Sequence, residues 1–202
     1  MDAYAHSPHA YHAQTFPLDP APFLEPLTRH VPAPAQVLDV GCGSGRDLLW
    51  LKQRGYDVLG LERSPGLAEL ARTHAGCQVL CADFDSFDFT TLSVDALILI
   101  GALVHVPKDR FPATLARILQ ALKPGGHVLL TVKQGEGTST AGDGRVFVLW
   151  RDEDLRGVYG DLGLAVVEAF TNSSVLGTGE VWLGYGEHTK GNVDHGRNTC
   201  RQ

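Results

Sequence analysis

Two spacings of apolar residues alternate along most of this chain, one suited to helices and one to strands. Over residues 21–30, Phe23, Leu24 and Leu27 recur at helical spacing, and Pro32 and Pro34 close the segment. A short aliphatic run follows at residues 37–40. Residues 46–54 return to helical spacing through Leu48, Leu49 and Leu51 and stop at Gly55, after which residues 56–61 read as a strand. Ser64-Pro65 supplies the cap and first turn of another helix, with Leu67, Leu70 and Ala71 on its buried side, and Val79 and Leu80 mark a brief strand. The run from Val94 to Ile100 is almost wholly apolar, as expected of a central parallel strand covered on both faces. An amphipathic helix is predicted over residues 108–122 from Phe111, Leu115, Ile118, Leu119 and Leu122. A strand over residues 127–132 follows the Lys123-Pro124-Gly125-Gly126 break.

Asp152 opens a further helix that Gly163 stops, and residues 164–170 form a strand. Val181, Leu183 and Tyr185 then alternate with Trp182, Gly184 and Gly186 in a last strand. Only the turn Gly177-Thr178-Gly179 and its flanks separate those two strands, with no helix, which makes them antiparallel neighbours. Strands alternating with helices predict an α/β fold. Three stretches carry neither period: residues 1–19, rich in His, Ala, Tyr and Pro; the polar, glycine-rich residues 133–144; and residues 187–202, expected to be a disordered tail. The chain divides accordingly into an N-terminal segment and helix (1–35), a main domain (36–186) and that tail.

Composition narrows the function classes. A length of 202 residues suits one domain with a substantial core. No apolar run is long enough to cross a bilayer, and the first residues lack the basic-then-apolar order of a secretory signal, so a cytoplasmic protein without a membrane partner is expected. Cys42, Cys77, Cys81 and Cys200 then read as reduced thiols, and their spacing does not suit zinc. A net charge of −6 with scattered Lys and Arg argues against a nucleic-acid partner. His6, His9 and His12 recur every third residue, but Pro8 is expected to interrupt the helix that would align them, and no thiol or carboxylate accompanies them. No metal is expected there.

The chemistry is concentrated at residues 37–47, Val-Leu-Asp-Val-Gly-Cys-Gly-Ser-Gly-Arg-Asp. A buried strand ends in an acid, and alternating glycines lead into a helix, so the backbone is able to approach a ligand that side chains would block. The Gly-x-Gly-x-x-Gly spacing of dinucleotide binders fails, because Arg46 stands where the third glycine belongs. The order Asp39, Gly41, Gly43, Gly45 instead resembles the first motif of the class I S-adenosylmethionine-dependent methyltransferases, of the small stand-alone bacterial type. The Leu-Lys-Pro-Gly-Gly at residues 122–126, between a helix and a strand, is a second point of likeness.

That resemblance implies a Rossmann-like seven-stranded, mostly parallel sheet with helices on both faces and an antiparallel last strand. It also implies S-adenosylmethionine as donor, S-adenosylhomocysteine as product, and in-line methyl transfer to a small-molecule acceptor. Cys42 and Arg46 fall within the glycine loop and Arg63 beside the next acid. Glu62, at the end of the following strand, is placed to take both ribose hydroxyls. Asp83 and Phe84 match the positions that meet the adenine, and Gly101 and His105 come to the same sheet edge. The segment before the first strand is expected to fold over the donor as a lid, touching it through Tyr4, Tyr11, Gln14 or Thr15. Lys133, Glu136 and Arg145 lie in an insertion expected over the site's mouth, where they read a substrate's charge; Arg145 offers a carboxylate the bidentate fork. His105 is the candidate base, against the alternative that it packs beside the donor without moving a proton. An RNA or protein methyltransferase and a noncatalytic S-adenosylmethionine binder stand as rivals. The first is disfavoured by the acidic charge and by Ile-Gly-Ala-Leu at residues 100–103, where an Asn/Asp-Pro-Pro-Tyr element would stand.

Overall fold

The computed structural model describes residues 7–174 and 179–189. Tyr4, His6, Gly177, Thr178, Cys200 and the tail from residue 190 lie outside the described residues. In chain order the elements are α1 (Pro8–Thr15), α2 (Ala21–His30), β1 (Gln36–Val40), α3 (Arg46–Lys52), β2 (Asp57–Glu62), α4 (Pro65–Ala75), β3 (Gln78–Cys81), β4 (Val94–Ile100) and α5 (Phe111–Ile118). There follow β5 (Leu122–Gln134), β6 (Thr138–Thr140), β7 (Val146–Trp150), α6 (Asp152–Asp161), β8 (Leu164–Ser173) and β9 (Val181–Thr189).

Strands β3, β2, β1, β4 and β5 lie side by side in that order and run parallel. Strand β9 pairs antiparallel with β5 and with β8, which completes the expected seven. Successive residues of a strand point to opposite faces, and here both faces are covered. Leu38, Val40, Leu97 and Leu99 share one core with Phe111, Leu115 and Ile118 of α5 and with Leu155 and Tyr159 of α6. Their neighbours Val37, Ala96 and Ile98 share the other with Leu24 and Leu27 of α2, Leu48 and Leu51 of α3, and Ala68 and Ala71 of α4. Burying each such Leu or Ile contributes about 1.5–3 kcal/mol, against tenths for helix propensity, so this double cover is what holds the strands in register.

Four local expectations change. Pro8 does not interrupt a helix; it occupies the first turn of α1, where its missing N–H would have had no partner in any case. The helix predicted over 108–122 is shorter, because a turn in which Arg110 N–H donates to Pro107 O precedes it and a 3-10 turn over Leu119–Ala121 ends it. The polar insertion is not irregular throughout. Strand β7 runs parallel to the end of β5 through Lys133↔Leu149 and Gln134↔Trp150, and β6 folds back on β7, so nine strands are present among the described residues. The last strand continues through Glu187 and His188 to Thr189, because backbone pairing to β5 and β8 goes on regardless of side-chain polarity. Glu187 is wholly buried there, and burial pushes its carboxyl pKa well above the usual carboxylate range.

Candidate active site

Strand β1 has β2 on one side and β4 on the other, so the winding reverses at its carboxyl end and leaves a crevice there. The glycine loop fills the floor of that crevice. It is tied to β2 by Gly41 N–H (2.7 Å) and Cys42 N–H (3.2 Å), both donating to Leu61 O. Gly43 has φ +56°, and a Cβ on it would lie 3.3 Å from the Tyr11 ring of α1. Gly45 has φ +87°, and a Cβ there would come within 2.8 Å of the Ala71 backbone of α4. The two glycines therefore do different work: Gly43 keeps ligand space open beneath α1, whereas Gly45 lets α3 and α4 close on one another.

Glu62 ends β2 almost buried, at 7% exposure. Its Oε2 accepts from Gly43 N–H at 2.9 Å and its Oε1 from Ser64 N–H at 2.8 Å. A carboxylate has about four lone-pair directions, and these two N–H groups fix how it is turned. Around it lies a cavity of about 120 Å³ lined by Tyr11, Gly41, Gly43, Leu61, Glu62, Arg63, Leu67, Phe84, Ile100, Gly101, Ala102 and His105. Phe84 is held from behind by Arg117, whose guanidinium donates to its carbonyl at 2.7 Å.

Not every motif residue reaches this cavity. Asp39 is buried beneath the loop; desolvation, with Asp47 and Glu62 nearby, pushes its pKa well up, and its Oδ2 has no hydrogen-bond partner. The Cys42 thiol also points under the sheet, 2.8 Å from where a Cβ on Gly60 would lie, and burial raises its pKa. Asp83 spends Oδ1 on the N–H of Asp85 at 2.9 Å and does not line the cavity.

A second cavity of about 300 Å³ shares Tyr11, Ile100 and Gly101 with the first. Arg46, Lys133 and Arg145 line it, together with Gln14, Thr15, Phe23, Phe147, Glu180 and Trp182. Glu136 does not; it is exposed, and its charge acts on Arg151 instead. His105 stands between the cavities. It lines the first and packs on Phe147 of the second, with ring centroids 4.7 Å apart. Its Nδ1 donates to the carbonyl of Val146 on the insertion, which leaves the lone pair on Nε2. Burial first, then the nearby Arg145, Arg63 and Lys133, hold its pKa below the ordinary 6.5 despite the opposing hydrogen bond.

Phe23, Phe147, Glu180 and Trp182 were not legible as site residues. One signal was available for Trp182: a last strand antiparallel to β5 must begin at the sheet edge where β5 ends, and Trp182 does pair with Lys133.

Residues 37–126 match the family model of a methyltransferase domain. The chain is 34% identical over 104 residues to a ubiquinone biosynthesis O-methyltransferase from Acinetobacter baylyi, an alignment covering 48% of this chain and 42% of the relative. It is 30% identical over 154 residues to the methyltransferase GfsG of Streptomyces halstedii, covering 71% and 47%. The chain thus spans less than half the length of these two curated relatives. Among solved structures it resembles the 1,6-didemethyltoxoflavin-N1-methyltransferase of Burkholderia thailandensis with a TM-score of 0.75 at 21% identity, over 93% of this chain and 84% of that one. The acid-and-glycine loop and the carboxylate one strand later both lie within the stretch matched to a methyltransferase domain, and the fold resembles that of the class I S-adenosylmethionine-dependent methyltransferases.

Proposed function

We propose that this protein transfers a methyl group from S-adenosylmethionine to a small-molecule acceptor. The observation that carries the reading is Glu62, held by two backbone N–H groups at the floor of a cavity whose other side is glycine backbone. Its two carboxylate oxygens suit the vicinal hydroxyls of a ribose, Phe84 and Leu67 offer an apolar wall for a base, and the Gly41–Gly43 backbone suits the amino-acid end. When bound, the sulfonium supplies an electrophilic methyl.

The chain's own part is to align, to exclude water and to move one proton. Tyr11 closes the cavity from above, and α1 is pinned to α4 by the stacking of His12 on His74 at 4.2 Å. A volume of about 120 Å³ lies under the few hundred Å³ typical of ligand sites, and α1, which covers the cavity through Tyr11, is the element that would act as its lid. His105, neutral at pH 7, takes the acceptor's proton on Nε2 as the methyl moves from sulfur to the nucleophile. Arg63, Arg145 and Lys133 around it favour early release of that proton.

Calorimetric titration with S-adenosylhomocysteine should show one site per chain, and methyl-labelled donor should mark a component of a small-metabolite extract. No binding would refute the donor pocket; binding without labelled product would make the protein a noncatalytic binder.

A further inference from the structure

Lys133 occupies an unusual place. It is the residue at which β5 ends its pairing with β9, at Trp182, and begins its pairing with β7, at Leu149. The Lys133 ammonium lines the larger cavity at only 5% exposure. Its Nζ lies 3.4 Å from the centroid of the Phe147 ring and 5.6 Å from that of Trp182. It forms a close ion pair with Glu180, whose side chain is six times more exposed, at 36% against 6%. Arg145 lines the same cavity and also lies over Phe147, 5.5 Å from its centroid. The cavity's lining carries three cations and one carboxylate: Arg46 and Arg145 are paired with Asp47 at 2.6 Å and Asp143 at 2.8 Å, neither of which lines it, and Lys133 is paired with a lining carboxylate, Glu180.

A desolvated ammonium requires a counter-ion. Glu180 supplies one from the rim, from a position able to reach water without unfolding anything. The flat walls Phe147 and Trp182 suit a ring, and ring faces bind by offset stacking or edge contact. Resting on the methyl-transfer reading of the neighbouring cavity, we propose that this cavity takes a planar aromatic acceptor bearing an anionic group, a carboxylate or phenolate, with Lys133 as its anchor and Glu180 as the counter-ion it displaces. The acceptor's ring then lies beside His105 through Phe147, at the wall shared with the donor cavity.

The probes are 2-naphthoate, its neutral isostere 2-naphthamide, and hexanoate, titrated calorimetrically into the protein with and without S-adenosylhomocysteine. Naphthoate should bind at least tenfold tighter than either of the others. Lys133→Met should weaken naphthoate at least tenfold while leaving S-adenosylhomocysteine affinity unchanged, which also shows that the variant is folded. Glu180→Gln should tighten naphthoate by removing its competitor; a bridge that merely holds the β9 end in place would give the opposite. Equal affinity for naphthamide or hexanoate, an indifferent Lys133→Met, or a Glu180→Gln variant that binds naphthoate no tighter overturns the proposal. Failure of S-adenosylhomocysteine to bind would instead strike the donor pocket, and the naphthoate series on the protein alone would still decide this site.

Discussion

The donor cavity draws its shape from backbone: Gly41, Gly43 and Gly101 line it without side chains, and Glu62 is oriented by two main-chain N–H groups. The acceptor cavity beside it draws its shape from large side chains delivered by elements far apart in the chain: Phe23 from α2, Lys133 from β5, Phe147 from β7 and Trp182 from β9. A pocket made of glycine and amide groups tolerates little change, because Gly41, Gly43 and Gly101 all have positive φ and an added Cβ would press on the Ala102 methyl, the Tyr11 ring or the Trp182 ring. A pocket made of side chains is remodelled by exchanging them, and its specificity changes without loss of the fold.

That contrast predicts graded effects. The largest falls just behind the donor cavity, at the glycine that lets α3 and α4 close on one another. Gly45→Val places a Cβ within 2.8 Å of the Ala71 backbone at a φ that β-branched residues avoid. It should cost about 4 kcal/mol in strain and overpacking, and lower the melting temperature by about 10 °C. A melt unchanged within 2–3 °C would mean that backbone packing is looser than drawn.

Next is His105→Gln at the wall between the cavities, expected to reduce turnover about a hundredfold with S-adenosylhomocysteine affinity intact. The pH profile carries the same information. Because the His105 pKa is lowered, activity should hold as pH falls through 6.5 and decline only below it, as the imidazole gains its proton; the glutamine variant should lack that acid limb. Unaltered turnover would make His105 a wall and nothing more.

Glu62→Ala should weaken S-adenosylhomocysteine by roughly ten- to a hundredfold, the worth of one or two charge-assisted hydrogen bonds, yet leave 2-naphthoate untouched. Its melting temperature must be measured alongside, since Gly43 and Ser64 lose their acceptor. If both ligands weaken together, the cavities are not separable. The smallest effect is expected from Glu136→Gln, exposed and outside both cavities, which should change stability by less than about 0.5 kcal/mol and neither affinity.

How much of this was legible follows from locality. The succession of strands and helices, the double-faced central strand and the glycine loop could be read because each depends on residues close in sequence: the apolar run of Val94–Ile100, the glycines after Val40, an acid at the end of the next strand. Glu62 was identified on that ground and lines the cavity as expected. Asp39 and Asp83 fit the same pattern but do not line it, because a motif states spacing and not the direction in which a carboxylate turns.

By itself, then, the chain's order of residues determined the alternation of strands and helices and the place of the glycine loop, products of short-range periodicity and of backbone that only glycine permits. Tertiary structure alone decided that α1 lies over Gly43, that β7 joins β5 at Lys133, and that Glu180, Phe147 and Trp182 surround that lysine. Those contacts join residues dozens of positions apart, and their energy comes from burial and charge pairing that no local pattern encodes.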